Sequence, residues 1–387
     1  MNRRKICVVI TARASYSRFK TALQAIQAHP ELELQLVVAA SALLDRYGEA
    51  VSYIQKDGFE ISAHVYMVLE GSNLTSMAKT TGVGLLELAT VFDNLKPDAV
   101  VTIADRYETM ATAIAASYMN IPLIHIQGGE ITGSIDEKVR HAITKLADLH
   151  LVSSDQSAAR VIRMGEDPEQ VINTGCPSID IALEVFQETP KLSFDPFLRY
   201  GGVGNLFDLS QGYVVVLQHP VTTEYQQSRE HITETLYAVQ DVHLPVLWFW
   251  PNVDAGSDGT SKGIRAFRER ENPTQFHFFK HMSSVDFLEL IYNAKVLVGN
   301  SSTGIRESAY LGVPVVNIGS RQEGRDRAEN VIDVDYDRHE ILKAIQIQIA
   351  HGRYASSTLY GDGKSGSRIA QILATAEFKI EKRLRYT

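Results

Sequence analysis

The sequence predicts an α/β protein built of two doubly wound domains, each a parallel sheet covered by helices on both faces. Three observations carry that expectation. Strand-sized apolar runs alternate with amphipathic, helix-length segments from end to end. The alternation lapses once, over 187–211 ("QETPKLSFDPFLRYGGVGNLFDLSQ"), and then resumes. With 387 residues, the chain is long for a single core.

Taken in order, "KICVVITA", "ELQLVVAAS", "DAVVTIA", "PLIHIQ", "LHLVSS" and "QVINTG" read as the strands of the first half. Helical patterns at 17–29, 75–95, 107–119, 137–147 and 155–164 separate them. After the lapse come "YVVVLQHP", "PVLWFWPN", "FHFFKH", "KVLVGN" and "VPVVNIG", again with helix-length spacers. Continuous rather than alternating apolarity marks strands buried on both faces, as in parallel sheets. The expected organisation is a first domain over 1–190, a second over 191–365, and a final amphipathic helix within 366–387, at about 366–383, crossing back to the first domain.

Composition narrows the function classes. Hydrophobic content of 44% with 22% charged residues fits a water-soluble globular protein, and no apolar run is long enough to span a bilayer. The opening "MNRRKICVVITA" reads as a first strand, not a signal peptide, which with only Cys7 and Cys176 as thiols points to the cytoplasm. A net charge of −8 argues against nucleic acid or a membrane surface as partner. An anionic small molecule needs only local cations, for which Arg13, Arg106, Lys280, Arg321 and Arg325 are candidates.

Three familiar motifs fail. The first strand–helix turn, "ITARASYSRF", has no glycine to let its backbone approach a pyrophosphate, which excludes the usual dinucleotide fingerprint. In "GDGKSGS" the GKS has Thr358 where a phosphate loop needs its first glycine, and no apolar strand precedes it. His277 and His281 stand four apart, a spacing that suits a metal on a helix, but "HFFKH" has the composition of a strand; no metal is expected.

In open α/β sheets, ligands bind beyond the carboxyl ends of the strands. In two domains facing a cleft, those ends carry Arg13, Asp105, Arg106, Glu130, His219, Asn252, Lys280, Asn300–Thr303 and Arg321. The segment "VGNSSTGIRE" places Ser301, Ser302, Thr303 and Gly304 where a helix begins. One helix cap needs one side chain, whereas three hydroxyls with exposed N–H groups and a helix dipole suit a phosphate or diphosphate. Glu307 would repel a phosphate beside it but suits a ribose diol further on. Phosphate and ribose together mean a nucleotide. In the other half, Asp105, Glu130 and Asp136 are acids near strand ends, with Arg140 placed four residues after Asp136 for an i,i+4 pair. Each acid has a structural reading as a helix cap, notably in the capping box Ser134-x-x-Glu137; three together favour general acid–base chemistry. His219, directly before a proline at a strand end, reads as a phosphate or substrate contact.

"TARASYS", "ADRYE", "HIQGGEITGSIDEKVRHAITKLA", "TGCPSID", "LQHPVTTE", "PNVDAGS", "VGNSSTGIRE", "NIGSRQEGR" and "YGDGKSGSRI" resemble, in order and spacing, the hydrolysing UDP-N-acetylglucosamine 2-epimerases. The resemblance covers nearly the whole chain and implies the glycosyltransferase-B architecture, two Rossmann-like domains with UDP in the cleft. It also implies nucleotide-proximal roles for Arg13 and Ser17 and UDP contacts for His219, Asn252, Lys280, Ser301, Ser302, Glu307 and Arg321. Asp105, Glu130 and Asp136 fall in the segments that supply the family's catalytic acids. Neither metal nor cofactor is implied, and a homodimer or higher homo-oligomer is. Arg265 and Arg268 lie on a segment matching the animal enzyme's inhibitor region. Two departures stand out: Ser15 replaces the usual acid of the first motif, and Gln127 stands where non-hydrolysing relatives carry glutamate. The competing readings are the same reaction on a UDP-linked N,N'-diacetylbacillosamine, a glycosyltransferase of the same architecture, and a catalytically silent nucleotide-sugar sensor.

Overall fold

The computed structural model describes residues 3–44, 50–69, 74–103, 106–131, 135–188, 191–221, 223–251, 257–383 and 385. Contacts divide the chain into two units. The first comprises Met1–Glu130, Ile135–Asp180 and Tyr360–Thr387; the second comprises Ile131–Ser134 and Ile181–Leu359.

In the first unit seven strands form one sheet: β1 (Arg4–Ile10), β2 (Leu32–Ala39), β3 (Ile61–Val65), β4 (Ala99–Ile103), β5 (Leu123–Ile126), β6 (Leu149–Val152) and β7 (Val171–Asn173). Their spatial order is β3-β2-β1-β4-β5-β6-β7, with every pair parallel. Around them lie α1 (Arg13–Ala28), α2 (Ala50–Lys56), α3 (Leu74–Leu95), α4 (Thr109–Tyr118), α5 (Ile135–Leu146) and α6 (Asp155–Arg163). The order turns back on itself between β1 and β4, so the loops leaving those two strands flank the switch point where α/β sheets take ligands. Strand alternation sorts β1 between two cores. Ile6, Val8 and Ile10 pack with Phe19, Leu23 and Ile26 of α1, whereas Cys7 and Val9 pack with Leu88, Phe92 and Ala113 of α3 and α4. Phe19 is 1% exposed, and truncating such a side chain to alanine costs about 3–5 kcal/mol.

The chain continues through α7 (Ser178–Glu188), in which the division between units falls, and α8 (Pro196–Tyr200). The strands of the second unit are β8 (Val203–Gly204), β9 (Val214–Leu217), β10 (Val246–Phe249), β11 (Phe276–Phe279), β12 (Val296–Gly299), β13 (Val315–Ile318) and β14 (Val331–Val334). They lie in the order β14-β13-β12-β9-β10-β11-β8, parallel except for the two-residue β8. Here the switch point lies between β9 and β12. The helices are α9 (Ser228–Gln240), α10 (Ser257–Glu271), α11 (Ser284–Asn293), α12 (Ser302–Ile305), α13 (Glu307–Leu311) and α14 (Arg338–His351). Val214, Val216, Trp248, Phe276, Val298 and Ile345 are at the centre of a second core.

The last helix, α15 (Ser365–Thr375), packs on α1 in the first unit. It is shorter than the expected 366–383: residues 376–383 have no regular structure, although the chain there is pinned by Lys382, which donates to Glu166 at 2.6 Å. The structure also resolves the GKS segment. The N–H groups of Ser365 and Gly366 donate to the Asp180 carboxylate at 2.9 and 2.7 Å, so a side chain occupies the donors that a phosphate loop would use. His277 lies in β11 and bonds the carbonyls of Asn205 and Gly201, both at 2.9 Å; it holds the edge strand. No cluster of potential metal ligands occurs among the described residues, and no described helix is long and apolar enough to cross a membrane.

Candidate active site

The second unit builds its switch point from the residues that leave β9 and β12. Gly299 ends β12 at φ +129, and a Cβ there would come within 2.2 Å of the Leu217 carbonyl, so only glycine lets the two strands close at this rung. Asn300, fully buried, follows. Its Oδ1 accepts from the His219 N–H at 2.7 Å and its Nδ2 donates to the His219 carbonyl at 2.9 Å. Its own carbonyl accepts from Arg321 Nη1 at 3.0 Å and Gln322 Nε2 at 2.8 Å. His219 is buried, and desolvation together with the Arg321 charge pushes its pKa well below the ordinary value, which leaves the ring neutral at pH 7.

Ser301 is the N-cap of α12 and its hydroxyl accepts from Thr303 N–H; the Ser302 hydroxyl accepts from Arg306 Nη2 at 3.0 Å. Gly304 is buried, and a Cβ there would lie 3.0 Å from Val315. The single helix expected from 302 onward is instead two short ones, broken at Arg306 with φ −98 and ψ −72. A macrodipole is the sum of aligned peptides, and a four-residue helix has few, so the dipole part of the sequence argument is much reduced. The hydroxyls and first-turn N–H groups remain. Glu307 opens α13, is 5% exposed, and its Oε2 makes no hydrogen bond among the described residues; Arg306 Nε lies 4.0 Å away. A buried carboxylate oxygen with spare acceptor capacity is what a vicinal diol needs. Lys280 is exposed beyond β11, two strands from β9, and Asn252 lies outside the described residues. Arg265 and Arg268 line a separate cavity of about 370 Å³ with Asn205 and Asn272.

The first unit holds a different kind of edge. The loop after β5 is fixed from several sides. Gln127 has φ +65, a left-handed conformation that is costly for a residue with a side chain, and is held there by its N–H bond to the Leu151 carbonyl at 3.0 Å. Its amide accepts from Arg18 at 3.1 Å and donates to Cys176 Sγ at 3.0 Å. A glutamate carboxylate cannot make that second bond, so the amide fits its surroundings here. Gly129 has φ +76, and a Cβ would meet the Ser157 carbonyl at 2.3 Å. Arg160 donates to the Gly129 carbonyl at 3.2 Å and Arg140 to the Glu130 carbonyl at 2.7 Å. Glu130 is thereby presented at the strand end on a backbone with little freedom, with its side chain 5% exposed.

Arg140, 1% exposed, also pairs with Glu137 at 3.2 Å, one position along from the Asp136 partner that the i,i+4 spacing suggests. Asp136 is half-buried in the first turn of α5. Asp105 and Ser134 lie outside the described residues. Arg106 is committed to Glu108, Nε to Oε1 at 2.7 Å, which neutralises much of the charge expected for a diphosphate. Glu108 was not singled out from the sequence; it is 1% exposed and its Oε2 makes no hydrogen bond among the described residues. Its signal was the i,i+2 acid in "ADRYE". Arg18 and Cys176 were missed too, because a contact between residues 18 and 127, or 127 and 176, leaves no local pattern. Arg13 opens α1 with its guanidinium 4.6 Å over the Tyr53 ring, and Ser17 is half-buried one turn later. Ser15 is 2% exposed and its hydroxyl makes no hydrogen bond among the described residues.

A sequence profile described as UDP-N-acetylglucosamine 2-epimerase matches residues 24–374. The chain belongs to that family. Among epimerase relatives, it is 34% identical to the hydrolysing UDP-N,N'-diacetylbacillosamine 2-epimerase of Legionella pneumophila, over 96% of both chains. It is also 34% identical to the polysialic acid biosynthesis protein P7 of Escherichia coli (89% of this chain, 86% of that one), and 28% identical to the UDP-N-acetylglucosamine 2-epimerase of Neisseria meningitidis (97% and 96%). The fold superposes on the Methanocaldococcus jannaschii UDP-GlcNAc 2-epimerase, solved with UDP-GlcNAc and UDP, with TM-score 0.80 at 16% identity over 96% of this chain and all of that one. The Neisseria meningitidis enzyme bound to UDP-GlcNAc gives TM-score 0.78 at 17% identity over 96% and 100%. The two-sheet α/β architecture of this epimerase is thus the glycosyltransferase-B type that the sequence predicts.

Proposed function

We propose that the protein is a hydrolysing 2-epimerase that converts UDP-N-acetylglucosamine and water to N-acetylmannosamine and UDP, supplying a sialic-acid-type sugar in the cytoplasm and working as a homodimer. The observation that carries the nucleotide assignment is Glu307, a buried carboxylate with a spare oxygen within two short turns of the Ser301–Ser302–Thr303 hydroxyls. Membership of an epimerase family goes against the glycosyltransferase reading.

In this reading the second unit binds UDP. Ser301, Ser302, Thr303, Gly304 and Arg321 take the diphosphate, Glu307 the ribose, with His219, Lys280 and Asn252 completing the contacts. The first unit supplies the acids, with Arg13, Ser17 and Arg106 on the nucleotide-sugar side. In the substrate H2 and the α-linked UDP are trans-diaxial, so anti elimination gives UDP and a 2-acetamidoglucal. The C2 proton is not acidic, so the C1–O bond cleaves first, its electron pair leaving with UDP. Fixed donors and cations stabilise that developing charge. A carboxylate, from Asp105, Glu130 or Asp136, then takes H2 from the oxocarbenium-like species, while Arg140 fixes the backbone that presents Glu130. Water adds its oxygen to C1, and a proton is delivered to the opposite face of C2. No redox change occurs, and the reaction balances with one water consumed.

In D₂O the product should carry deuterium at C2, and in labelled water the oxygen should enter at C1. Proton NMR of the product reads both the C2 position and the sugar formed. A full C2–H signal would sink the elimination mechanism, and release of nothing would favour the sensor. The likeness to the Legionella pneumophila enzyme supports UDP-linked N,N'-diacetylbacillosamine as a second substrate candidate, so both nucleotide sugars belong in the assay. Faster turnover of the bacillosamine derivative would transfer the assignment to that sugar.

A further inference from the structure

In a parallel ladder each residue on one strand accepts and donates alternately with its neighbour, in evenly spaced bonds. Between β9 and β12 the pairing runs Val214–Val296 to Leu217–Gly299, and the Asn300 N–H extends it by bonding the Leu217 carbonyl at 3.2 Å. The next main-chain bond would run from His219 N–H to the Asn300 carbonyl. It does not form. The Asn300 side-chain amide takes its place, accepting from the His219 N–H and donating to the His219 carbonyl. A primary amide is chemically a peptide unit, so the ladder continues through a side chain for one more rung.

The substitution frees the main chain at 300 to leave the sheet. Its carbonyl, released from the ladder, turns to Arg321 and Gln322, the residues of the short turn Ser320–Gln322 after β13. A single buried residue therefore ties three loop starts together at the switch point: the one after β9, the one after β12 and the one after β13. All three carry groups assigned above to UDP.

We infer that Asn300 is a positioning residue for the nucleotide site, a peptide mimic that sets His219, Ser301 and Arg321 in mutual register while touching no substrate itself. The inference deepens the UDP reading above and rests on it for its functional consequence, though not for its geometry. Aspartate keeps an acceptor for the His219 N–H but sets a carboxylate against the His219 carbonyl, which repels it. Leucine fills a similar volume and removes both bonds. Neither can reproduce the rung, and each leaves the carbonyl partners Arg321 and Gln322 chemically intact.

The test compares the full-length protein with Asn300→Asp and Asn300→Leu, using calorimetric UDP binding, steady-state kinetics and NMR titration of the His219 ring without nucleotide. Both variants should hold their circular dichroism, bind UDP at least tenfold more weakly and raise KM more than they lower kcat. In Asn300→Leu, which removes both bonds and adds no charge, the His219 titration midpoint should move as the ring loses its fixed place beside Arg321; a defect elsewhere in the core would leave it in place. UDP affinity within twofold of the parent in both variants, with an unmoved His219 titration, overturns the inference. So does loss of fold in both, which would make Asn300 a core residue and nothing more. If the parent protein itself binds no UDP, the nucleotide reading fails. The His219 titration of Asn300→Leu then decides the register by itself: a moved midpoint upholds it and an unchanged one overturns it.

Discussion

The carboxyl edges of the two sheets solve different problems with different chemistry. In the second unit, the switch point is built mostly of uncharged groups, an amide, a histidine pushed below its usual pKa and hydroxyls, with Arg321 and Arg306 bonded to them and the Glu307 carboxylate alongside. In the first unit, the loop after β5 is clamped by two arginines on successive carbonyls, and buried acids stand nearby. Neutral donors fixed in place bind an anion without needing a proton of their own, whereas acids on a rigid backbone can take and return one. The contrast supports the proposed division of binding and proton transfer between the units, and that division is open to direct attack.

The largest expected effect lies on the first unit. Glu130→Gln and Asp136→Asn should each lower turnover by about 10²–10⁴, the usual worth of a general acid or base, while changing UDP affinity by less than a factor of about three. Asp105→Asn belongs in the same series. Single-turnover kinetics beside calorimetry make the measurement; near-normal turnover in all three would reduce the acids to helix caps and erase the contrast.

The second unit should answer in the opposite sense. Ser301→Ala combined with Ser302→Ala removes two hydroxyls whose hydrogen bonds to a charged phosphate are worth about 1.5–3 kcal/mol each. UDP affinity should fall by at least one order of magnitude and saturation kinetics should recover much of the turnover. An unchanged dissociation constant would move the diphosphate away from α12.

How far these regions were legible in the sequence follows from the range of the interactions. Twelve residues such as those of α5 carry their own period, and strands buried on both faces announce themselves as continuous apolar runs, as "YVVVL" and "KVLVG" do. β3 ("ISAHV") and β14 ("VIDV") escaped because each lies at a sheet edge, half-exposed, with polar residues breaking the run. The helix expected to continue to 383 stops at Thr375, since the apolar residues beyond it, Phe378 among them, pack as an extended strap and not as a helical stripe. For the site, the hydroxyl cluster at 301–303 and the acids at 130 and 136 are local and were visible. The break at Arg306, the Asn300 rung and the Arg18–Gln127–Cys176 chain all depend on partners 49 or more residues apart, or on backbone angles, and no spacing in the sequence encodes them.

The smallest effect concerns stability, and it tests whether the histidine of the second unit is held neutral as the contrast requires. Burial, then the charge of Arg321, lowers the His219 pKa in the folded state, so the folded protein binds that proton less readily than the unfolded chain, where a histidine titrates near about 6.5. The sign follows from proton counting. Above about pH 6.5 neither state carries the proton and His219 contributes no pH dependence. As pH falls below that value the unfolded state gains a proton that the folded state refuses, and stability declines. Between pH 7.5 and 5.5 this group alone should make the folded protein progressively less stable. His150 and His231 are shifted in the same direction, so the parent's slope is a sum. Urea unfolding of His219→Gln isolates this contribution: its stability should fall less than the parent's over the same two pH values. An identical pH dependence in the two proteins would mean that His219 titrates normally in the folded state, and the second unit's edge would then carry a switchable charge of its own.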